Sequence, residues 1–171
     1  MGVTYTSGNA SAYISIATYT VTGSAVASYT FSNIPTSYTD LVLIGSPNNG
    51  PGTYPFVQVG NGTVDTTSSY SSTQIYGSGT TVGSTRLPST TYGWGGTANA
   101  YSNIKIYFMN YANTNTFKTW LCRGGSASDY VSAEVTLWRS ASAINTIKIY
   151  PDTGTYPVGT TFNLYGIKAA G

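Results

Sequence analysis

Asp40, Asp65, Asp129, Glu134 and Asp152 are the only side-chain carboxylates in this 171-residue chain, and it contains no histidine. Those types bound the chemistry on offer. Ser–His–Asp and Cys–His relays need an imidazole to take the nucleophile's proton, so both are excluded. A glycosidase needs two carboxylates flanking one sugar bond, and Asp129 with Glu134 is the pair close enough in sequence to consider. The plainer reading makes Asp129 a solvated turn residue. Glu134 then sits on a strand face, satisfied by Arg139 or Lys118 across a strand. Asp152 has a complete structural explanation in the turn Pro151-Asp152-Thr153-Gly154. Calcium would want several clustered carboxylates and zinc a Cys/His set, and neither pattern occurs. Cys122 is the one cysteine; it has no disulfide partner and no base to activate it, and reads as a small packed hydrophobe. No glycine loop is followed by the lysine that phosphate binding requires. The expectation is a protein that is not an enzyme, with no catalytic, cofactor-binding or metal-binding residues.

What remains is contact chemistry. Charged residues make up 7% of the chain, against about 25% in ordinary soluble domains. Its surface must therefore be wetted by hydroxyls, amides and phenols. Sixteen tyrosines stand on that background, and tyrosine offers large amphipathic area with few rotors. The most pointed candidate is Trp94 in Tyr92-Gly93-Trp94-Gly95-Gly96, where the glycines would let a ligand approach closely. The alternative is that Trp94 plugs its loop onto the body of the domain or onto a neighbouring subunit. Tyr92, Trp94, Tyr54 and Tyr76 are the candidate ligand or protein contacts. Trp120 and Trp138 lie inside strand-like runs and read as core or subunit interface. The seven basic residues are scattered and the net charge is +2, so neither nucleic acid nor a membrane surface is expected as partner. The N-terminus lacks the basic and apolar regions of a signal peptide. No apolar run approaches the roughly 20 residues of a membrane helix. Gly2 with Thr6 matches a myristoylation pattern, and Asn9 and Asn61 match glycosylation sequons; in a chain so rich in Ser and Thr these read as chance.

The elements that must position these residues are strands. Period-2 alternation and β-branched or aromatic enrichment dominate, and no window carries a helical stripe. About ten strands are predicted, near 12–21, 25–31, 40–46, 54–60, 73–77, 84–88, 101–110, 116–124, 131–139, 144–150 and 160–168. Those at 73–77 and 84–88 are the weakest. In the run 134–139, Val135 and Leu137 share one face while Glu134, Thr136 and Trp138 share the other. Ile144, Ile147 and Ile149 with Phe162, Leu164 and Tyr165 form a core-like set. Turn chemistry at Gly23-Ser24, Asn48–Gly52, Asn61-Gly62 and Pro151–Gly154 separates the runs. Such spacing without helical crossovers implies an all-β, antiparallel β-sandwich that is jelly-roll-like. Residues 1–171 read as a single domain, with 1–11 a candidate N-terminal arm. The stretch 77–96, dense in Gly, Ser and Thr, reads as a long exposed excursion.

The C-terminal third carries Leu137-Trp138-Arg139-Ser140 leading to Ile144-Asn145-Thr146-Ile147. Gly159-Thr160-Thr161-Phe162-Asn163-Leu164-Tyr165-Gly166-Ile167-Lys168 follows. The N-terminal part carries Tyr29-Thr30-Phe31-Ser32-Asn33-Ile34-Pro35, then Tyr38-Thr39-Asp40-Leu41-Val42-Leu43. In this order of segments, over roughly residues 17 to 169, the chain resembles small virion proteins of tailed bacteriophages, notably those of aquatic bacteria and cyanobacteria. The resemblance carries no catalytic motif. It implies a β-sandwich displayed on the particle, varying most around 45–60 and 77–96. The expected role is capsid decoration (cement), bound to the major capsid protein as a homotrimer and located on the virion. A receptor-binding or fibre module that recognises a host-surface glycan through loop aromatics is the alternative. No coiled-coil or collagen-like stretch occurs within these residues, which favours decoration.

Overall fold

The computed structural model describes residues 12–47, 53–96, 102–126 and 130–168. The expected arm at 1–11, the turn residue Asp129 and the loop at 48–52 lie outside them. Thirteen strands follow in chain order. The first seven are β1 (Tyr13–Thr20), β2 (Tyr29–Phe31), β3 (Asp40–Ser46), β4 (Pro55–Asn61), β5 (Thr63–Val64), β6 (Tyr70–Ser78) and β7 (Thr81–Thr90). Then come β8 (Gly93–Trp94), β9 (Ser102–Met109), β10 (Lys118–Ser126), β11 (Tyr130–Trp138), β12 (Thr146–Pro151) and β13 (Thr161–Ile167).

The strands form an antiparallel, jelly-roll-like β-sandwich of two sheets. The larger has eight strands in the order β1-β13-β3-β9-β10-β11-β6-β7. The smaller runs β2-β12-β4-β5, with β8 also pairing β4. Between them lies a core that includes Leu41, Leu43, Val57, Ile106, Phe108, Trp120, Ile147, Ile149, Phe162 and Leu164. Each contributes because it removes apolar surface from water, about 1.5–3 kcal/mol per large aliphatic or aromatic side chain. In β13 the period-2 alternation turns Phe162, Leu164 and Gly166 inward. Trp120, Trp138 and Cys122 are all buried. Tyr165 departs from the core-like set: it is only partly buried and meets Tyr13 edge-on.

One expectation about the strands is corrected. The stretch 77–96 is not a loop excursion: most of it is the β6–β7 hairpin, paired from Ser78↔Thr81 to Tyr70↔Thr90, followed by β8. Backbone pairing organises it although its side chains are small and polar, and β7 remains largely exposed because it is the sheet edge. The short strands β5 and β8, each two residues, went unread because a two-residue strand leaves no periodicity.

The edges of the larger sheet are protected without many charges. A bulge interrupts β1 between Ser15 and Ala17, and β7 carries Arg86 and Pro88. Bulges, charges and prolines on an edge discourage pairing with another chain. What the larger sheet leaves open is its outer face.

Along β6 and β11 that face is inverted. Ser72, Gln74, Ser132, Glu134 and Thr136 are buried, while Ile75, Val131 and Val135 point to solvent. A sandwich that merely had to be soluble would be patterned the other way.

Candidate ligand cleft and outer sheet face

Every described carboxylate has a structural task. Asp40 accepts from the Asn110 amide at 2.7 Å and so fixes the turn after β9. Asp152 accepts from the Tyr54 amide at 2.9 Å, while its own amide donates to the Tyr54 carbonyl at 2.8 Å. Asp65 gathers Thr67, Ser69 and the Trp138 indole, with Nε1 donating at 2.8 Å. Partial burial pushes its carboxyl up, but the donations from Ser69, Thr67 and Trp138 outweigh that and hold it at about 2.

Glu134 is the exception in kind. Its Oε1 accepts from Gln74 Nε2 at 2.8 Å and from Ser132 Oγ at 2.9 Å. Neither Arg139 nor Lys118 reaches it, because Glu134 faces the interior. Arg139 donates to the Ser69 and Pro88 carbonyls, and the buried Lys118 ammonium donates to the Thr116 and Ala141 carbonyls. Oε2 has no partner in hydrogen-bonding geometry, although the Gly96 amide and the Cys122 thiol lie near the carboxylate. Burial raises Glu134 to about 6 against the pull of Ser132 and Gln74. That is the range a general acid needs, yet the group is 2% exposed and sealed behind Gln74. Among the described residues no three His, Cys, Asp or Glu side chains gather to hold a metal.

Three of the four aromatic contact candidates come together. Tyr54, Tyr76 and Trp94 line one cleft of about 440 Å³, with Tyr130, Gln74, Ser78, Thr81 and Thr85. Its floor follows from register. Gln74, Tyr76 and Ser78 alternate on one face of β6, opposite Glu134, Ser132 and Tyr130 of β11 and beside Thr85, Gly83 and Thr81 of β7. Tyr76 and Tyr130 stack at 5.5 Å between centroids, 8° from parallel. Gly83 makes room for this, since a Cβ there would stand 2.6 Å from the Tyr76 hydroxyl oxygen. The wall is Trp94 over Tyr54, 6.1 Å apart and inclined by 26°.

The wall is anchored to both sheets. Phe56 and Val57 of β4 pair with Trp94 and Gly93, and the Trp120 indole donates to the Trp94 carbonyl at 3.2 Å. Gly93 is required there, because a Cβ would fall 2.1 Å from the Trp120 ring. The half-buried Trp94 therefore closes the sandwich with its backbone while its ring lines a cleft. Tyr92 does not join it and instead stacks on Phe56 at 3.8 Å. Tyr130 and Gln74 are site residues that the sequence reading missed. The alternation shared by Gln74, Tyr76 and Ser78 was the signal that could have placed Gln74 beside Tyr76.

The second feature is the outer face of the eight-stranded sheet. Ile44, Ile75, Val82, Leu121, Val131 and Val135 are exposed on it, Val82 at 85% and Ile75 and Val131 at 63% each. They border two shallow grooves of about 1020 and 430 Å³. Lys105 and Arg123 stand directly opposite each other across β9 and β10 in the same grooves. Like charges so placed repel. Lys105 is partly occupied, donating to the Tyr13 hydroxyl at 3.0 Å.

No protein-family model matches the chain, and no curated protein matches it. Solved structures with a similar course include CG-16, a homodimeric agglutinin from chicken liver, at 10% identity and a TM-score of 0.37 over 78% of this chain and 98% of that one. A single mutant of Congerin II is similar at 13% identity and a TM-score of 0.40, over 80% and 98%. Scytalido-glutamic peptidase with a peptide-based transition state analog follows at 12% identity and 0.25, over 84% and 63%. Likenesses this slight carry no functional argument.

Proposed function

We propose that this chain is a virion structural protein of a tailed bacteriophage, a decoration protein that docks on the major capsid shell and stabilises it as a homotrimer. The observation that carries the reading is the inverted face. A protein with no partner has no use for Ile75, Val82, Leu121 and Val131 in water while Ser72, Gln74, Ser132, Glu134 and Thr136 occupy interior positions. Exposed apolar patches of this kind mark docking surfaces. Lys105 and Arg123 set the partner's chemistry: an apolar patch bearing carboxylates. The resemblance of the segments at 29–43, 137–147 and 159–168 to phage virion proteins supports the particle as the setting.

The test uses heads of the virus that encodes the protein, prepared without it. The wild-type chain is expected to co-sediment with such heads and raise their rupture temperature. The double substitution Leu121→Asp with Val131→Asp should do neither while melting as the wild type does. Heads that fail to bind the wild type, or that bind the variant equally, would sink the proposal. Copy number in the virion separates a shell protein from the fibre-module reading, which the aromatic cleft favours.

A further inference from the structure

We propose that the cleft between the Tyr54–Trp94 wall and the Tyr76–Tyr130 floor is a binding site for one or two rings of a neutral saccharide, separate from the outer docking face. Its volume, about 440 Å³, lies in the lower part of the range of about 300–1,000 Å³ typical of small-molecule sites. Its chemistry has two sides. Four aromatic rings supply broad apolar faces, held by stacking at 6.1 Å and 5.5 Å. Ser78, Thr81 and Thr85 supply hydroxyls at the rim. A pyranose has the same two sides, with C–H faces that lie on aromatic rings and hydroxyls around its edge.

Among the described residues the lining contains no Lys, Arg, Asp or Glu. A phosphorylated, sulfated or carboxylated ligand would find no counter-charge there, so the ligand is neutral. Gln74 supplies the orienting amide. It is 2% exposed, and its Nε2 is aimed by Glu134 at 2.8 Å and shared with the Tyr130 hydroxyl at 3.4 Å. Here Glu134 is a positioning residue. This explains why a carboxylate and an amide occupy interior positions next to the cleft.

A peptide is the poorer occupant. The backbone groups of β6 are already paired on both sides, with β7 and with β11, and the free edge beyond it, β7, carries Arg86 and Pro88, which discourage an added strand. A polyproline helix needs no such edge and is therefore included in the test.

Saturation-transfer NMR with lactose, cellobiose and maltose, and separately with a proline decapeptide, is the experiment. At least one disaccharide is expected to bind with a millimolar or lower Kd, receiving saturation from aromatic protons. Thr85→Trp is built on the exposed edge strand β7, so it fills the cleft without disturbing the core and should abolish binding with an unchanged melting curve. Trp94→Ala should weaken binding by roughly tenfold or more, the equivalent of ~1.4 kcal/mol. Leu121→Asp, which tests the docking face, should leave saccharide binding unchanged. No binding of any of the three sugars at about 20 mM, far above a millimolar Kd, would overturn the inference. So would binding that survives Thr85→Trp, binding lost in folded Leu121→Asp, or occupation of the cleft by the proline peptide instead.

Discussion

Gln74 and Glu134 sit directly opposite each other on β6 and β11, joined by a 2.8 Å hydrogen bond and each 2% exposed. Burying a charged carboxylate with one unpartnered oxygen is unfavourable, and Glu134 answers by holding its proton up to about pH 6. A pKa raised from 4.5 to about 6 in the folded state gives a definite sign. The folded protein binds the proton more tightly than the unfolded chain, so stability is greatest below the unfolded value. It declines as pH rises from about 4.5 to 6, and above that it is lower by about 2 kcal/mol, at ~1.4 kcal/mol per pKa unit. The chain has no histidine, whose titration would overlap that window. Glu134→Gln should therefore melt higher than wild type at pH 7.5 and lose the decline between pH 4.5 and 6. Thermal melts across pH 4–8 check this; an unchanged slope in the variant would place the carboxylate in water.

Asp65 predicts the opposite behaviour. Its carboxyl is held at about 2, below the ordinary 3.8, because donations from Ser69, Thr67 and Trp138 outweigh desolvation. A lowered folded pKa contributes stability above the unfolded value and loses it as pH falls through the folded one. Asp65→Asn should melt below wild type at neutral pH, with the gap closing between about pH 4 and pH 2. If the gap persists at pH 2, the Asn side chain has disturbed packing around Trp138, and the charge was not the cause.

Phe162 lies at the centre of the sandwich, fully buried, edge-on to Tyr156 at 4.9 Å and under Gly45, where a Cβ would come within 2.7 Å of its ring. Phe162→Ala should cost about 3–5 kcal/mol, since the backbone around Gly45 and Tyr156 cannot collapse fully into the space. Leu121→Ala, on the outer face, should stay within about 0.5 kcal/mol. Urea titrations of the two variants report both numbers. A large loss for Leu121→Ala would mean that the exposed aliphatics stabilise the isolated fold and are not reserved for a partner.

How far the sequence could be read is clearest from these same residues. On β13 a strand was legible from its β-rich run, and alternation sends Phe162, Leu164 and Gly166 inward, which leaves Tyr165, read as core, on the other side with Asn163 and Ile167. On β11 the same rule separated Val135 and Leu137 from Glu134, Thr136 and Trp138, but it could not say which set faces the core. Hydrophobicity alone points to the valine face, and the fold chose the glutamate face. The reason lies in partners far along the chain: Gln74 for Glu134, Ser72 for Thr136 at 2.8 Å, Asp65 for Trp138. Tyr92, Trp94, Tyr54 and Tyr76 stood out by residue type, and Trp94 also by its flanking glycines; of these, Trp94, Tyr54 and Tyr76 share a cleft. Their assembly into one cleft depends on β8 crossing from β4 onto Trp120, and a two-residue strand announces no such crossing.

Gly83 offers a test in which stability and binding move in opposite directions. It lies on the exposed edge strand β7, opposite Tyr76 of β6. Its backbone is not among the positive-φ glycines, so alanine can adopt it. Replacing glycine at a compatible site usually stabilises by about 0.4–1 kcal/mol through the unfolded chain. The added Cβ, however, would stand 2.6 Å from the Tyr76 hydroxyl oxygen and 2.7 Å from Cζ, so the ring must tilt away from it. That tilt breaks the 8° stack on Tyr130 and reshapes the cleft floor. Gly83→Ala should then melt at or slightly above the wild-type temperature while disaccharide affinity falls several-fold. The tyrosine ring resonances of Tyr76 and Tyr130 should shift, and those near Phe162 should not. An affinity equal to wild type together with shifted rings would show that the Tyr76–Tyr130 stack lies outside the ligand's footprint, leaving Tyr54 and Trp94 as the whole of the stacking surface.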